Sequence, residues 1–387
     1  MEFMGYKRPD GSVGVRNYVG IIPAVVCANE VVSAIVDQVG GPTKALLHNQ
    51  GCCQLKPDLE QIERTLIGLG KNPNLAAVLV VSLGCESVKA DRIVEEIEKT
   101  GKPVEKIGIY DLKGSTNAIE EGVKIAKKLV DYANESERTP ASIEDLTIGI
   151  KCGASDTTSG LAANPAVGVA TDIMIDAGSS VVFGEVTEFI GAEHILARRA
   201  ANEDVANKIY GYVNAMEKRA EAVGVDLRGS QPTAGNIRGG LTTIEEKSLG
   251  AIIKGGTRTI QEVMNYSESP TKKGLIVMNT PGFEITVLTG LAATGAQILL
   301  FTTGLGAPQG HPMTPVVKIT GNSQTMERMG DHIDVDVSGI LSGTLTMDAA
   351  GKKIVDQIVE VANGEQTRAE ILGYTKSMDI YVLGPVV

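Results

Sequence analysis

Apolar residues in this chain come in short unbroken runs, each followed by a stretch with helical spacing. Tyr18–Val26 reads as a buried strand, and in Asn29–Val39 behind it Val31, Ile35 and Val39 fall four apart on one helix face. Lys44–His48 predicts a second strand with Pro57–Leu69 as its helix, Leu75–Leu83 a third with Val88–Lys99, and Val104–Tyr110 a fourth with Asn117–Ala133. Strands covered on both faces read as continuous apolar runs, so this alternation predicts a mainly parallel sheet clothed by helices.

Asn134–Ser142 is polar, contains Pro140 and lacks periodicity, which marks a linker. A second series opens at Thr147–Lys151, with a helix at Pro165–Ala177 and a strand at Ser180–Phe183; Ile190–Val223 is mostly helical. Gly224–Gly256 predicts irregular loops with a helix near Thr243–Ile253. Strands follow at Gly274–Met278, Gln297–Thr302 and Val316–Thr320, with a last helix at Asp348–Ala362. The expectation is an α/β protein of two domains, residues 1–136 and 137–387, each with a mainly parallel sheet covered by helices.

Charge narrows the function classes. With 36 basic and 47 acidic side chains among 387 residues the formal charge is -11, a poor match to nucleic acid, whose phosphates need a basic surface. The apolar run Leu75–Val81 is far shorter than the roughly 20 residues that cross a bilayer, and Met1–Gly11 lacks a secretory pattern. Five cysteines, an odd number in a long chain, suggest reduced thiols and a cytoplasmic location. Glycine numbers 45, where average usage of about 7% would give about 27.

Ligands of parallel α/β sheets bind outside the carboxyl ends of the strands. All five cysteines fall there: Cys27 after the first strand, Cys52 and Cys53 after the second, Cys85 after the third, and Cys152 after the first strand of the second domain. Gly51, Gly84 and Gly153 adjoin three of them. A lone free cysteine is usually a small buried hydrophobe, but this set, with His48 and Glu86, has the mixed soft character that suits iron, as a single ion or a cluster. No zinc-ribbon spacing occurs. A second grouping, Glu185, Glu188, Glu193 and His194 with Arg198 and Arg199, follows the Ser180–Phe183 strand and offers general acids and bases. Ser155–Gly160, Asn279–Gly282 and Thr302–Gly306 are small, hydroxyl-rich loops suited to a carboxylate or sulfonate, with neither P-loop nor Rossmann spacing.

These segments together with Gly5–Gly11, Val13–Tyr18, His48–Gln54, Leu83–Glu86, Lys151–Gly160, Phe183–His194, Phe301–Gly306 and Lys318–Asn322 resemble the altronate and galactarate dehydratase family over nearly the whole length. That family includes the large subunit of sulfolactate sulfo-lyase. The resemblance implies an iron-dependent lyase acting on a hydroxy acid, with Fe2+ as cofactor and an iron–sulfur cluster or Mn2+ as alternatives. It implies water elimination from a sugar acid, with sulfite elimination from a sulfonated hydroxy acid as the alternative; a sugar-acid or redox-sensing binding protein is the competitor outside the class. Full-length dehydratases carry a further small N-terminal domain, so a separate small subunit and a homo- or hetero-oligomer are expected.

On that basis His48, Cys52, Cys85, Glu86 and Cys152 are the expected iron ligands. Glu185, Glu188, His194 and Lys151 are the catalytic candidates, and Arg16, Ser155, Asp156, Thr302 and Thr303 the substrate-binding ones. Cys27 or Cys53 is the expected bystander.

Overall fold

Residues 1–386 are described by the computed structural model of the chain. The first apolar series forms β3 (Tyr18–Pro23), β4 (Thr43–Ala45), β5 (Leu75–Ser82) and β6 (Val104–Gly108), preceded by β1 (Glu2–Lys7) and β2 (Val13–Gly14). They assemble a four-stranded parallel sheet in the order β4-β3-β5-β6. All eight residues of β5 are buried, which accounts for its unbroken apolar run. The second series gives β7 (Thr139–Ser142), β8 (Thr147–Gly153), β9 (Ser180–Phe183), β10 (Ile260–Met264), β11 (Leu275–Met278), β12 (Ile298–Thr303), β13 (Val316–Thr320) and β14 (Val335–Asp336). Seven of these make a parallel sheet, β10-β11-β9-β8-β12-β13-β14. The fold is α/β, with two domains built on parallel sheets covered by helices.

Each sheet has a place where successive connections leave in opposite directions. In the first it lies between β3, which leads outward to β4, and β5, which leads to β6; in the second it lies between β8 and β12. Crevices at the carboxyl ends of such strand pairs are the usual ligand sites of open α/β sheets.

The chain ends cross between the two domains. β1 pairs antiparallel with β2 and β7, and Phe3, Val13 and Val15 join the core of the larger domain. Conversely Met378, Ile380, Tyr381 and Val382 pack beside Ile62 and Leu66 of the smaller one, where Asp58 accepts the Leu383 and Gly384 amides at 2.6 and 2.8 Å. The helices Lys56–Lys71 and Glu284–Ala293 also meet across the domains; a Cβ on Gly68 would lie 2.2 Å from the Ala293 carbonyl oxygen.

Two sequence expectations change. The linker is half strand, because Thr139–Ser142 is β7. Ile190–Val223 is mostly helical as expected, in two pieces, Glu193–Ala197 and Glu203–Glu221, with the Asn202 side chain accepting the Val205 amide at 3.0 Å to start the second. Helix Glu284–Ala293 escaped notice because it is apolar and buried nearly all round, which erases the 3.6-residue pattern.

Candidate active site

At the carboxyl end of the large sheet, β8 delivers Lys151 and Cys152, and the turn after β9 delivers Glu185 and Glu188. Glu185 sits at φ 72°, a left-handed conformation costing a non-glycine residue about 1–2 kcal/mol. It is held there by Thr280, whose Oγ1 accepts the Glu185 amide at 2.6 Å and whose carbonyl accepts the Val186 amide at 2.9 Å. The twist turns the carboxylate inward: Glu185 Oε2 accepts the Cys152 amide at 2.9 Å and lies 2.9 Å from Lys254 Nζ, while Oε1 lies 3.3 Å from Lys151 Nζ.

Lys254 also reaches Glu188 Oε2 at 2.9 Å, and Lys247 stands 3.8 Å from Glu188 Oε1. Lys247 and Lys254 are seven residues apart on helix Ile244–Ile252 and the short turn behind it, a spacing that puts both on one face. Lys151 is further contained by Glu284 at 3.5 Å and by the Phe301 ring at 4.7 Å. Gly153 leaves the room for this: a Cβ there would lie 2.7 Å from Lys151 Nζ and 2.9 Å from Glu284 Oε1.

The two carboxylates are pushed apart in acidity. Burial and the neighbouring Glu188 charge raise Glu185 above the ordinary carboxyl range, more than its lysines offset. Burial also works to raise Glu188, but Lys254, Lys247 and Lys151 outweigh it and hold Glu188 below that range. Lys254, desolvated yet facing both carboxylates, is held more basic than a free lysine. Carboxyl groups separated in this way divide into a proton donor and a proton acceptor.

A cleft of about 500 Å³ opens beside the cluster, lined among others by Cys152, Ser155, Glu188, Asn236, Lys247 and Glu284. An adjoining cavity of about 320 Å³ shares Ser155 and Lys247 and adds Asp156 and Asn164. Both lie where the topology of the larger sheet favours a ligand.

The expected site residues divide. Lys151, Cys152, Ser155, Glu185 and Glu188 come together here. Asp156 is close by but is spent on structure, its Oδ1 accepting from Thr158 and Ser159 at 2.7 and 3.0 Å and its Oδ2 from Asn322 at 2.8 Å. Thr302 and Thr303 are buried beneath the cleft: Thr302 donates to Asn164 Oδ1 at 2.6 Å, and Thr303 Oγ1 accepts the Gly306 amide at 3.1 Å. Two expectations are corrected outright. His194 is exposed on helix Glu193–Ala197, because that helix turns Leu196 inward instead. Arg16 forms a two-pronged pair with Glu370, 2.8 Å on each prong, and donates to the carbonyls of Val15, Val361 and Glu365, leaving it nothing for a substrate. Lys247, Lys254, Asn236 and Glu284 were missed. The seven-residue lysine spacing was a usable signal, hidden by the surrounding glycine-rich stretch.

The expected iron set also divides. Cys152 is buried in the larger domain, its Sγ 3.0 Å from Ser155 Oγ and 3.6 Å from Asn164 Nδ2, and burial followed by the Glu188 charge raises its thiol. His48, Cys52, Cys85 and Glu86 belong to the smaller domain. Both ring nitrogens of His48 are engaged, Nε2 with the Pro23 carbonyl at 2.7 Å and Nδ1 with the Gln50 amide at 3.2 Å. Glu86 Oε2 accepts the Leu83 and Gly84 amides at 3.2 and 2.7 Å. Among the described residues no three His, Cys, Asp or Glu side chains converge to hold one ion. The five residues therefore do not fit a single iron.

Two family profiles match the chain. The second domain of D-galactarate dehydratase/altronate hydrolase matches residues 5–134, and the C-terminal domain of D-galactarate/altronate dehydratase matches residues 143–385. Subunit beta of (2R)-sulfolactate sulfo-lyase from Chromohalobacter salexigens is 42% identical over 376 residues, 96% of this chain and 95% of its own. The altronate dehydratase of Bacillus subtilis is 33% identical over 377 residues, 95% of this chain and 75% of its own. Galactarate dehydratase (L-threo-forming) of Escherichia coli is 33% identical over 404 residues, 99% of this chain and 77% of its own. All three are lyases. Matched along both of its domains, the chain belongs to the D-galactarate and altronate dehydratase family and is an enzyme of the lyase class.

Proposed function

We propose that the chain is the large subunit of a lyase that eliminates sulfite from a sulfonated 2-hydroxy acid, working with a separate small subunit. The observation that carries this reading is the 42% match to a protein named as subunit beta of a sulfo-lyase, running nearly end to end in both chains, whereas the dehydratases are more distant and longer. It replaces water elimination from a sugar acid as the leading reading.

The site chemistry supports an elimination of this kind. A hydrogen next to a carboxylate is weakly acidic, so its removal needs a base together with fixed positive charge where the enediolate develops. Glu188, ionised and on the cleft wall, takes the proton. Lys247, on the same wall, stabilises the charge passing to the substrate carboxylate. The electrons of the broken C2–H bond become the C2–C3 double bond, the C3–S bond breaks, and sulfite leaves with its electron pair. The resulting enol rearranges to the 2-oxo acid. Lys151 and Lys254 work from beneath as positioning residues that keep Glu185 and Glu188 in place.

Water elimination begins with the same proton transfer but expels hydroxide, a far poorer leaving group that must be protonated. Glu185, whose hold on a proton burial strengthens, is the observation favouring this second reading. The test is to purify the chain with its small subunit and follow sulfite and 2-oxo acid from (2R)-sulfolactate, altronate and galactarate. Sulfite release with little turnover of the sugar acids is expected; the reverse would transfer the assignment to the hydro-lyase reading.

A further inference from the structure

We infer that the turn Cys152–Ser155 seats the sulfonate end of the substrate, with the backbone amides of Ala154 and Ser155 and the Ser155 hydroxyl as its donors. The inference rests on the sulfite-eliminating reading and assigns the two ends of that substrate: sulfonate at this turn, carboxylate at Lys247.

Unpaired donors make the first argument. Buried backbone N–H groups are nearly always paired. Ser155 is 5% exposed, yet among the described residues neither its amide nor that of Ala154 donates to anything. The amides that bracket them are taken: Cys152 donates to Glu185 at 2.9 Å and Asp156 to Ser159 Oγ at 3.1 Å. Both carbonyls of the turn are taken as well, Ala154 accepting the Leu305 amide at 3.0 Å and Ser155 accepting Asn236 Nδ2 at 2.9 Å. In a trans peptide the N–H lies opposite the carbonyl, so the bond to Leu305 fixes the Ser155 amide on the far edge of its peptide. Ala154 holds φ 49°, a left-handed twist of the kind that gathers successive N–H groups into an anion-binding concavity.

The Ser155 hydroxyl makes the second. Its Oγ lies 3.0 Å from Cys152 Sγ, and Asn164 Nδ2 donates to that sulfur at 3.6 Å. Burial raises the thiol, so it keeps its proton and directs it to Ser155 Oγ. The hydroxyl hydrogen is then left for a ligand.

Placement makes the third. Cys152, Gly153, Ala154 and Ser155 line the cleft of about 500 Å³ in unbroken succession, which puts the backbone itself on its wall. Ser155 and Lys247 line both this cleft and the cavity beside it. An acid with an anion at each end has a donor group waiting for each.

The reaction makes the fourth. As the C3–S bond breaks, its electron pair passes to sulfur, and the departing group turns from a monoanion into a dianion. Donors fixed at that place hold the transition state more strongly than the bound substrate. Expelled hydroxide would instead need a proton, which backbone amides do not supply.

The experiment is a nuclear magnetic resonance titration of the isotopically labelled chain assembled with its small subunit. Two probes that cannot eliminate are compared: 2-hydroxyethanesulfonate, which keeps the sulfonate end, and lactate, which keeps the carboxylate end. The sulfonate should move the Ala154 and Ser155 amide protons downfield, and lactate should leave them in place. Ser155→Ala should weaken the sulfonate by about 10-fold, the loss of one hydrogen bond to a charged group, with lactate unchanged; Lys247→Met should do the reverse. The amide shifts are read in the unaltered chain, so they do not depend on a variant folding. Movement of these amides by lactate, or sulfonate binding that leaves them still, would overturn the cradle without touching the sulfo-lyase reading. Failure of the sulfonate to bind while (2R)-sulfolactate still yields sulfite would do the same, whereas absence of both would remove the reading and the cradle together.

Discussion

Glu185 and Glu188 share one ammonium group: Lys254 Nζ lies 2.9 Å from an oxygen of each. All three side chains are essentially excluded from water, so the lysine decides whether two carboxylates can occupy one pocket. Lys254→Met should lower stability by about 3–5 kcal/mol, the usual result of stripping a partner from buried charge. Urea unfolding measures it. Adding Glu185→Gln to that variant should restore part of the loss, and no recovery would mean that the packing of Lys254 matters more than its charge.

The same separation of acidities fixes a pH profile. Glu188 acts as an ionised base and is held below the ordinary carboxyl range, so its activity is lost only as pH falls through that lowered value. Glu185 acts protonated and is raised, so its contribution is lost as pH rises through the raised value. The two limbs belong to the coupled pair. Glu188→Gln should reduce kcat by about 10²- to 10⁴-fold. Glu185→Gln should move the alkaline limb of sugar-acid turnover while leaving sulfite release comparatively unaffected. Steady-state profiles for both substrates show whether it does.

Arg16 is predicted to matter for stability and not for substrate affinity. Its side chain and that of Glu370 are 7% and 9% exposed, and breaking the pair leaves a buried carboxylate. Arg16→Ala should cost about 3–5 kcal/mol with KM nearly unchanged in the fraction that remains folded. A large rise in KM without a fall in melting temperature would restore Arg16 as a substrate anchor.

Two buried histidines predict acid lability unconnected with catalysis. Burial lowers His48 to about 4, against the opposing bond to Pro23, and lowers His311 to about 3. Each folded-state value is depressed, so the neutral ring binds protons less readily than it does in the unfolded chain. Stability is then full above about pH 6.5 and drains away as pH falls towards the folded value. The effect of His48 is about 3 kcal/mol. Unfolding curves between pH 7 and pH 4 should show this slope, and it should flatten when His48 and His311 are both replaced by asparagine.

Much of the framework is legible in the sequence because strand burial writes itself as apolar runs; β5 is the clearest case. The strand-end loops follow directly, so Lys151, Cys152, Glu185 and Glu188 were nameable as a group. What stays hidden depends on contacts remote in sequence. β1 makes sense as a strand only beside β7, and Lys254 counts as a site residue only once its helix lies over the β9 turn. Arg16 reads as an anion anchor until Glu370, far along the chain, is found against it. The cysteines fall at strand ends as read, with Cys152 already assigned to the sheet of the second domain, but sequence order does not say that, among the described residues, no three of the expected ligands converge.

The crossed chain ends set an order of events during synthesis. The smaller domain's own strands emerge first, but the segment around Met378–Val382 that packs beside Ile62 and Leu66 is translated last. Likewise, β1 waits for β7 before its outer edge is paired. Neither domain can therefore be completed on the ribosome before the rest of the chain exists. A cut near residue 136 would yield two incomplete halves, each lacking a strip of core carried by the other.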